Sequence, residues 1–413
     1  MEDAQIRETT EGTSTSYMRM ILYALIGLIT TQQAVSAIGP TIVHFVEEEF
    51  HFPPGVGAFV NSFGVLGTIL MAPVAGVFSD YWGRRRCLLY GGLIAGLFVM
   101  VVSLSPSVYF VFPPMFIKSI GFAMVTTSVL GLITDVTPVK QRGMGMGFFG
   151  VGMTLGAIIG VSLGTNIVDK WGGRVAYSIC GGITVIGALV TYLTTHEAER
   201  KSGEIARNAL NWENIKVAFG IREKVNFLKK NKLITILFLI AMINNISWGV
   251  ALVLSSKLVE SVLGKSIKFA GFGIVIGSVV MLLGSFPAGK WVDKIGVRFP
   301  YLLATFINLL GLITIAGAPN ILMYLVGWAL LGIAHTIFNP AGNVFIARHC
   351  PPQERGLAFG LIFTGATLGI FLGPLVTAPF IGMFSARFPF FVSFITSSIA
   401  TVMMIKYIKD SYA

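Results

Sequence analysis

Apolar residues along this chain come in long runs broken by short polar segments. A helix needs about 20 mostly apolar residues to cross a bilayer. Twelve runs qualify, at residues 17–38, 56–78, 87–106, 108–134, 143–167, 174–195, 232–257, 268–291, 299–318, 320–347, 356–380 and 386–408. The pattern predicts an all-α membrane protein of twelve transmembrane helices. The tail before the first run carries Glu2, Asp3, Glu8 and Glu11 and has no convincing small-residue cleavage site, so the first run is read as a span and not as a cleaved signal peptide. The tail itself is expected to be disordered.

Composition agrees with this pattern. Of 413 residues, 54% are apolar and only 12% charged, against roughly 25% charged in a soluble domain. With a mean hydropathy of +0.78, a 44.5 kDa soluble globule could not cover its surface. Soluble enzymes, nucleic-acid binders and disordered scaffolds are excluded. The 48 glycines, about 12% of the chain against roughly 7% on average, suit closely packed membrane helices. Three scattered cysteines, Cys87, Cys180 and Cys350, have neither metal-ligand nor disulfide spacing.

The net charge of +11 reflects topology, not a polyanion partner. With both termini in the cytoplasm, 23 of the 30 Lys and Arg residues fall on inside segments and six on outside loops. That asymmetry predicts an integral protein of the cell membrane with both ends inside. The long polar stretch at 196–231 is expected to be cytoplasmic. Its Trp212, Ile215, Val217, Phe219 and Phe227 fit a short amphipathic helix on the membrane surface, and a solvated tether fits equally.

The chain repeats itself. Gly76, Asp80 and Gly83 recur 213 residues later as Gly289, Asp293 and Gly296. The same offset carries Arg85 to Arg298, Pro138 to Pro351, Arg142 to Arg355, Gly147 to Gly360, Gly156 to Gly369 and Gly160 to Gly373. A register held over some 85 residues predicts two pseudo-symmetric six-helix bundles, at 17–195 and 232–408, with tails at 1–16 and 409–413. Transporters built from two parallel halves bind substrate near the midplane and rock one half against the other.

With Gly76-x-x-x-Asp80-x-x-Gly83-Arg84-Arg85-Arg86, its echo at 289–298 and Asp135-x-x-Pro138-x-x-x-Arg142-Gly143, the sequence resembles the major facilitator superfamily over essentially its whole length, and looks closest to the drug–proton antiporters. Tyr81 stands where that family usually has Arg or Lys. Gly160-Val161-x-x-Gly164-Thr165 lacks the proline and second glycine of the antiporter signature, and Gly373-Pro374 occurs in the eleventh span instead. The resemblance implies the major facilitator fold, a cavity lined by spans one, four, seven and ten, and a charged latch that stabilises the outward-facing state.

The latch candidates are Asp80, Arg84, Asp135, Arg142, Asp293 and Arg298. Partly desolvated carboxylate–guanidinium pairs can hold helix ends in one state and release them in another; the alternative is that these charges only fix topology. The cavity candidates are polar residues deep in spans. Gln32 maps onto Asn245 by the same offset, with Asn244 and Trp248 beside it. Lys118 is the one basic residue well inside a span, and His335, Asn339 and Asn343 form a stripe at i, i+4 and i+8. Interhelical hydrogen bonding without a substrate role is the competing reading for the amides and His335. No span has a central Asp or Glu, so proton coupling would fall to His335 or Lys118, and neutral or anionic substrates are favoured.

These features predict a proton-linked exporter of small organic molecules that acts as a monomer. An organic-anion or metabolite symporter or uniporter, and a non-transporting membrane sensor, remain the alternatives. With no phosphate loop, metal-ligand spacing or triad, no cofactor, no metal, no nucleic-acid partner and no enzymatic activity are expected.

Overall fold

The computed structural model describes residues 2–137, 142–195, 220–350 and 355–407, and among them there are helices but no strand. In chain order these are α1 (Glu2–Ile38), α2 (Ile42–Phe50), α3 (Pro54–Trp82), α4 (Arg84–Ser103), α5 (Phe112–Val136), α6 (Arg142–Thr194), α7 (Ile221–Lys230), α8 (Lys232–Ser261), α9 (Ile267–Ile295), α10 (Arg298–Gly317), α11 (Ile321–His349), α12 (Arg355–Thr377) and α13 (Phe388–Tyr407). Eleven helices are long and apolar enough to cross a membrane, and one of them, Met144–Thr194, has 51 residues. That helix is two spans. Gly172 breaks it with φ 80° and ψ 169°, a conformation that glycine adopts without the Cβ penalty. The count is therefore twelve.

One expectation changes. The tail is not irregular, because α1 starts at Glu2 and its apolar stretch begins at Met18. The acidic segment after the first span is helical, since Glu47, Glu48 and Glu49 lie on α2. In the linker, α7 carries Phe227, while Trp212, Ile215, Val217 and Phe219 lie outside the described residues.

Glycine sets the helix spacing. A Cβ at Gly121 of α5 would run into the backbone of Gly91 and Ala95 on α4, so nothing larger fits that crossing. The sequence repeat reappears as a packing repeat. Gly160 of α6 sits on the carbonyl of Gln33 in α1, and Gly373 of α12 sits on the carbonyl of Ile246 in α8. One turn earlier, Gly156 faces the Gln32 side chain and Gly369 faces Asn245. Each pair is the other displaced by 213 residues. The sharp turns between α3 and α4 and between α9 and α10 match too, with Gly83 at φ 91° and Gly296 at φ 97°.

Helices α1 and α3–α6 form one bundle, and α8–α13 the other. They meet chiefly where α6 lies along α9 and α3 along α12. One end of the molecule carries Glu47, Asp169 and Glu260, and the other carries Arg84, Arg85 and Arg86; they are called the acidic end and the arginine end below.

Candidate functional site

At the acidic end the bundles are joined. Lys257 Nζ of α8 lies 2.7 Å from Glu47 Oε1 of α2. His44 Nδ1 lies 2.8 Å from Glu260 Oε1 of α8, and its Nε2 lies 3.0 Å from Glu48 Oε2. Two carboxylates, one on each ring nitrogen, are both satisfied only by the doubly protonated imidazolium. Burial lowers the His44 pKa, but the Glu260 hydrogen bond and the charges of Glu260, Glu48 and Glu47 outweigh it, and the net shift is upward from the ordinary 6.5. The 213-residue offset carries His44 onto Lys257 and Glu47 onto Glu260. The clasp is thus one cation–anion motif used twice, each cation pairing with the acid of the opposite half. Lys268 adds a contact to Asp169 at 3.5 Å, and Ser266 donates to the same carboxylate.

Packing follows the same end. Gly55 of α3 lies against Pro379, and Ser62 Oγ donates to the Phe371 carbonyl of α12 at 2.9 Å. Gly271 of α9 lies against Thr165 of α6 so closely that no Cβ fits. Toward the arginine end the helices part. Ile69, Pro73 and Gly76 follow Ser62 on the same face of α3, and a crevice of about 290 Å³ separates Thr68 and Pro73 from Gly360, Thr364 and Thr367 of α12. Gly147 lies eighteen residues, five turns, from Thr165, and Gly289 the same distance from Gly271, so both stay on the faces that meet at the other end. A methyl group added at Gly76, Gly147, Gly289 or Gly360 would meet nothing within 4 Å. These four glycines form two repeat-related pairs.

Arg84 makes a clasp of another kind. It is buried, with Nη2 at 2.8 Å from Asp80, Nε at 3.2 Å from Asp135 and Nη1 donating to Ser79 at 2.8 Å. Ser128 of α5 donates to Ser79 in turn, and the guanidinium lies on Gly131, where a Cβ would strike it. These contacts tie α3 to α5 within one bundle. Among the described residues, then, these contacts of Asp80, Arg84 and Asp135 lie within the first bundle. The Arg142 and Asp293 side chains lie outside the described residues; Arg298 opens α10.

The central candidates divide. Asn244 is 5% exposed and, with Thr305, Asn308 and His335, lines a cavity of about 10 Å³, the size of a single water. The Asn244 and Asn308 side-chain carbonyls have no hydrogen-bond partner among the described residues. His335 Nδ1 donates to the Leu331 carbonyl at 3.0 Å, and its ring packs 4.3 Å from that of Trp248, which stands edge-on to Trp328 at 5.7 Å. This cluster lies inside the second bundle. Asn245 and Gln32 instead bond along their own helices, to the Ala241 carbonyl and the Ser36 hydroxyl, each at 2.8 Å. Asn339 is exposed. Lys118 is 4% exposed and has neither hydrogen bond nor ion pair among the described residues, so it is joined to no other candidate.

Sequence reasoning missed His44, Glu47, Lys257 and Glu260, which the offset could have found, and Asn308 with its partner Ser397, for which the sequence holds no comparable signal.

A family model described as Major Facilitator Superfamily matches residues 24–274 and 237–413. An uncharacterized MFS-type transporter of Methanocaldococcus jannaschii is 23% identical over 345 residues, covering 83% of this chain and 86% of the relative. Multidrug resistance protein 1 of Bacillus subtilis is 22% identical over 381 residues, covering 90% and 91%. Among solved structures, the nucleoside transporter NupG superposes with a TM-score of 0.76 at 17% identity, covering 94% of this chain and all of that one.

Proposed function

The chain belongs to the Major Facilitator Superfamily and is a membrane transporter, and on that premise we propose that it exports small organic molecules by alternating access, linked to protons and acting as a monomer. The observation that carries this reading is the one-sided separation of the bundles. Their contacts gather at the acidic end, and the same helix faces part toward the arginine end. The excess of basic residues supports a cytoplasmic arginine end with both termini inside, and on that orientation the state is inward-open. Export is supported by the multidrug resistance relative, and the proton link by His44, whose charged form fastens the outer gate.

Gln32 and Asn245, on the two helices that the repeat relates, and Trp248 and His335 are the side chains assigned to binding. A second reading has its own observation. Lys118 is buried without a carboxylate partner among the described residues, which suits an organic anion as its counter-charge.

Transport of a compound panel into proteoliposomes, with and without an imposed pH gradient, tests both. Gradient-driven movement of neutral compounds supports the first reading. Movement of anions alone, lost in Lys118→Met, supports the second. Equal transport with and without the gradient would overturn the proton link.

A further inference from the structure

The three consecutive arginines at the start of α4 have different surroundings. Arg84 is buried against Asp80 and Asp135. Arg85 turns to the end of α6, donating to the Tyr192 carbonyl at 2.8 Å and lying over the Tyr192 ring. Arg86 is exposed and has no hydrogen bond, ion pair or ring contact among the described residues. It stands at the mouth of a groove of about 580 Å³ on the outside of the first bundle, between α3 and α4, with α5 as its floor.

The groove has a graded wall. Near Arg86 it is aromatic, with Phe78 and Trp82 of α3 and Tyr90 of α4 in a chain of ring contacts at 4.8 and 6.3 Å. Deeper, it is aliphatic, with Met71 of α3 and Ile94 of α4. From Arg86 to Ile94 is about 12 Å along the axis, and from Trp82 to Met71 about 16 Å. One leaflet of hydrocarbon is about 15 Å thick. Rings that sit at headgroup depth, a cation above them and an apolar channel one leaflet long below them match a single amphiphile standing on end.

We infer that this groove is a binding site for one anionic diacyl phospholipid of the leaflet at the arginine end. The headgroup phosphate takes Arg86 as its counter-charge, and one acyl chain lies between α3 and α4 down to Met71 and Ile94. The site is separate from the crevice between the bundles, and it leaves the Arg84 clasp intact. The lipid would brace α3 against α4 on the face opposite that clasp.

The test is native mass spectrometry of the purified protein with added phosphatidylglycerol or phosphatidylcholine, paired with thermal melting in the same lipids. Wild type should retain one phosphatidylglycerol in preference to phosphatidylcholine and melt higher in its presence. Arg86→Gln should lose about fivefold of that preference, the share of one arginine near an anionic headgroup. It should otherwise melt as wild type does, because it breaks no hydrogen bond, ion pair or ring contact among the described residues. Ile94→Trp should fill the channel and reduce retention of the lipid with Arg86 in place. Equal retention of the two lipids by wild type, or an unchanged preference in Arg86→Gln, would overturn the site. So would an effect of Ile94→Trp on pairing of two copies, or on binding of a transported compound, with lipid retention unaltered.

Discussion

Lys118 lies inside α5, 4% exposed, with no carboxylate paired to it among the described residues. A lysine at the centre of a spanning helix costs about 3 kcal/mol on insertion scales. Lys118→Met keeps length and apolar volume, so the variant should melt at or above wild type while losing transport of any anionic substrate. A lower melting temperature with transport intact would assign the lysine to structure. Asp80 differs, because half its side chain is exposed and Arg84 keeps Asp135 and Ser79 when it is neutralised. Asp80→Asn should therefore cost under about 1 kcal/mol in stability yet reduce transport strongly; wild-type flux in that variant would end the latch account. His44 is the group proposed to carry the pH response. Its pKa is raised in the closed gate, so its contribution to closure is complete below the ordinary 6.5 and fades as pH rises through the raised value. The groups facing it are Glu47 and Glu48 on α2 and Glu260 on α8, with Lys257, Asp169, Lys170 and Lys265 around the same cleft. Raising pH should loosen the acidic end in wild type and have much less effect in His44→Gln, as followed by spin-label distances.

Between helices, the same residue type has opposite uses. Gly160 is pressed onto the Gln33 carbonyl, and Gly160→Leu should destabilise the fold by about 1–3 kcal/mol or more through overpacking. Gly147 and Gly289 border open space on the faces that meet five turns away at Thr165 and Gly271. Gly147→Leu and Gly289→Leu should leave melting within about 0.5 kcal/mol of wild type but block closure of the arginine end, and with it transport. A strong loss of stability would mean that those faces already pack. The sequence made the spans readable because each is a long apolar run. It made the paired bundles readable because one offset carries both the glycines and the residues they pack against. It could not tell the packed glycine from the open one, since both belong to the same repeat and only the tilt between the bundles separates them. Nor did it reveal that Asn244 faces Asn308 of α10 and His335 of α11 while its neighbour Asn245 faces Gly369 of α12, a distinction of one residue on a helix with no one-sided apolar stripe. His44 escaped notice because attention to buried ionisable groups favours the spans, and its partner lies 216 residues away on α8.

Across the whole molecule, two halves of one ancestral pattern are joined at the acidic end by His44–Glu260 and its symmetry mate Lys257–Glu47, and stand apart at the arginine end. Alternating access requires the two ends to exchange these conditions. The most direct test is double electron–electron resonance on two spin-label pairs in one lipid environment. One pair, Met146→Cys with Lys294→Cys, spans the exposed arginine ends of α6 and α9; the other, His51→Cys with Lys265→Cys, spans the acidic end. The native Cys87, Cys180 and Cys350 are buried, which favours labelling at the introduced positions. On addition of substrate under a pH gradient, the first distance should shorten and the second lengthen in the same fraction of molecules. If either distance changes while the other holds, or if both stay fixed during transport, the two bundles do not exchange their open ends and the account is wrong.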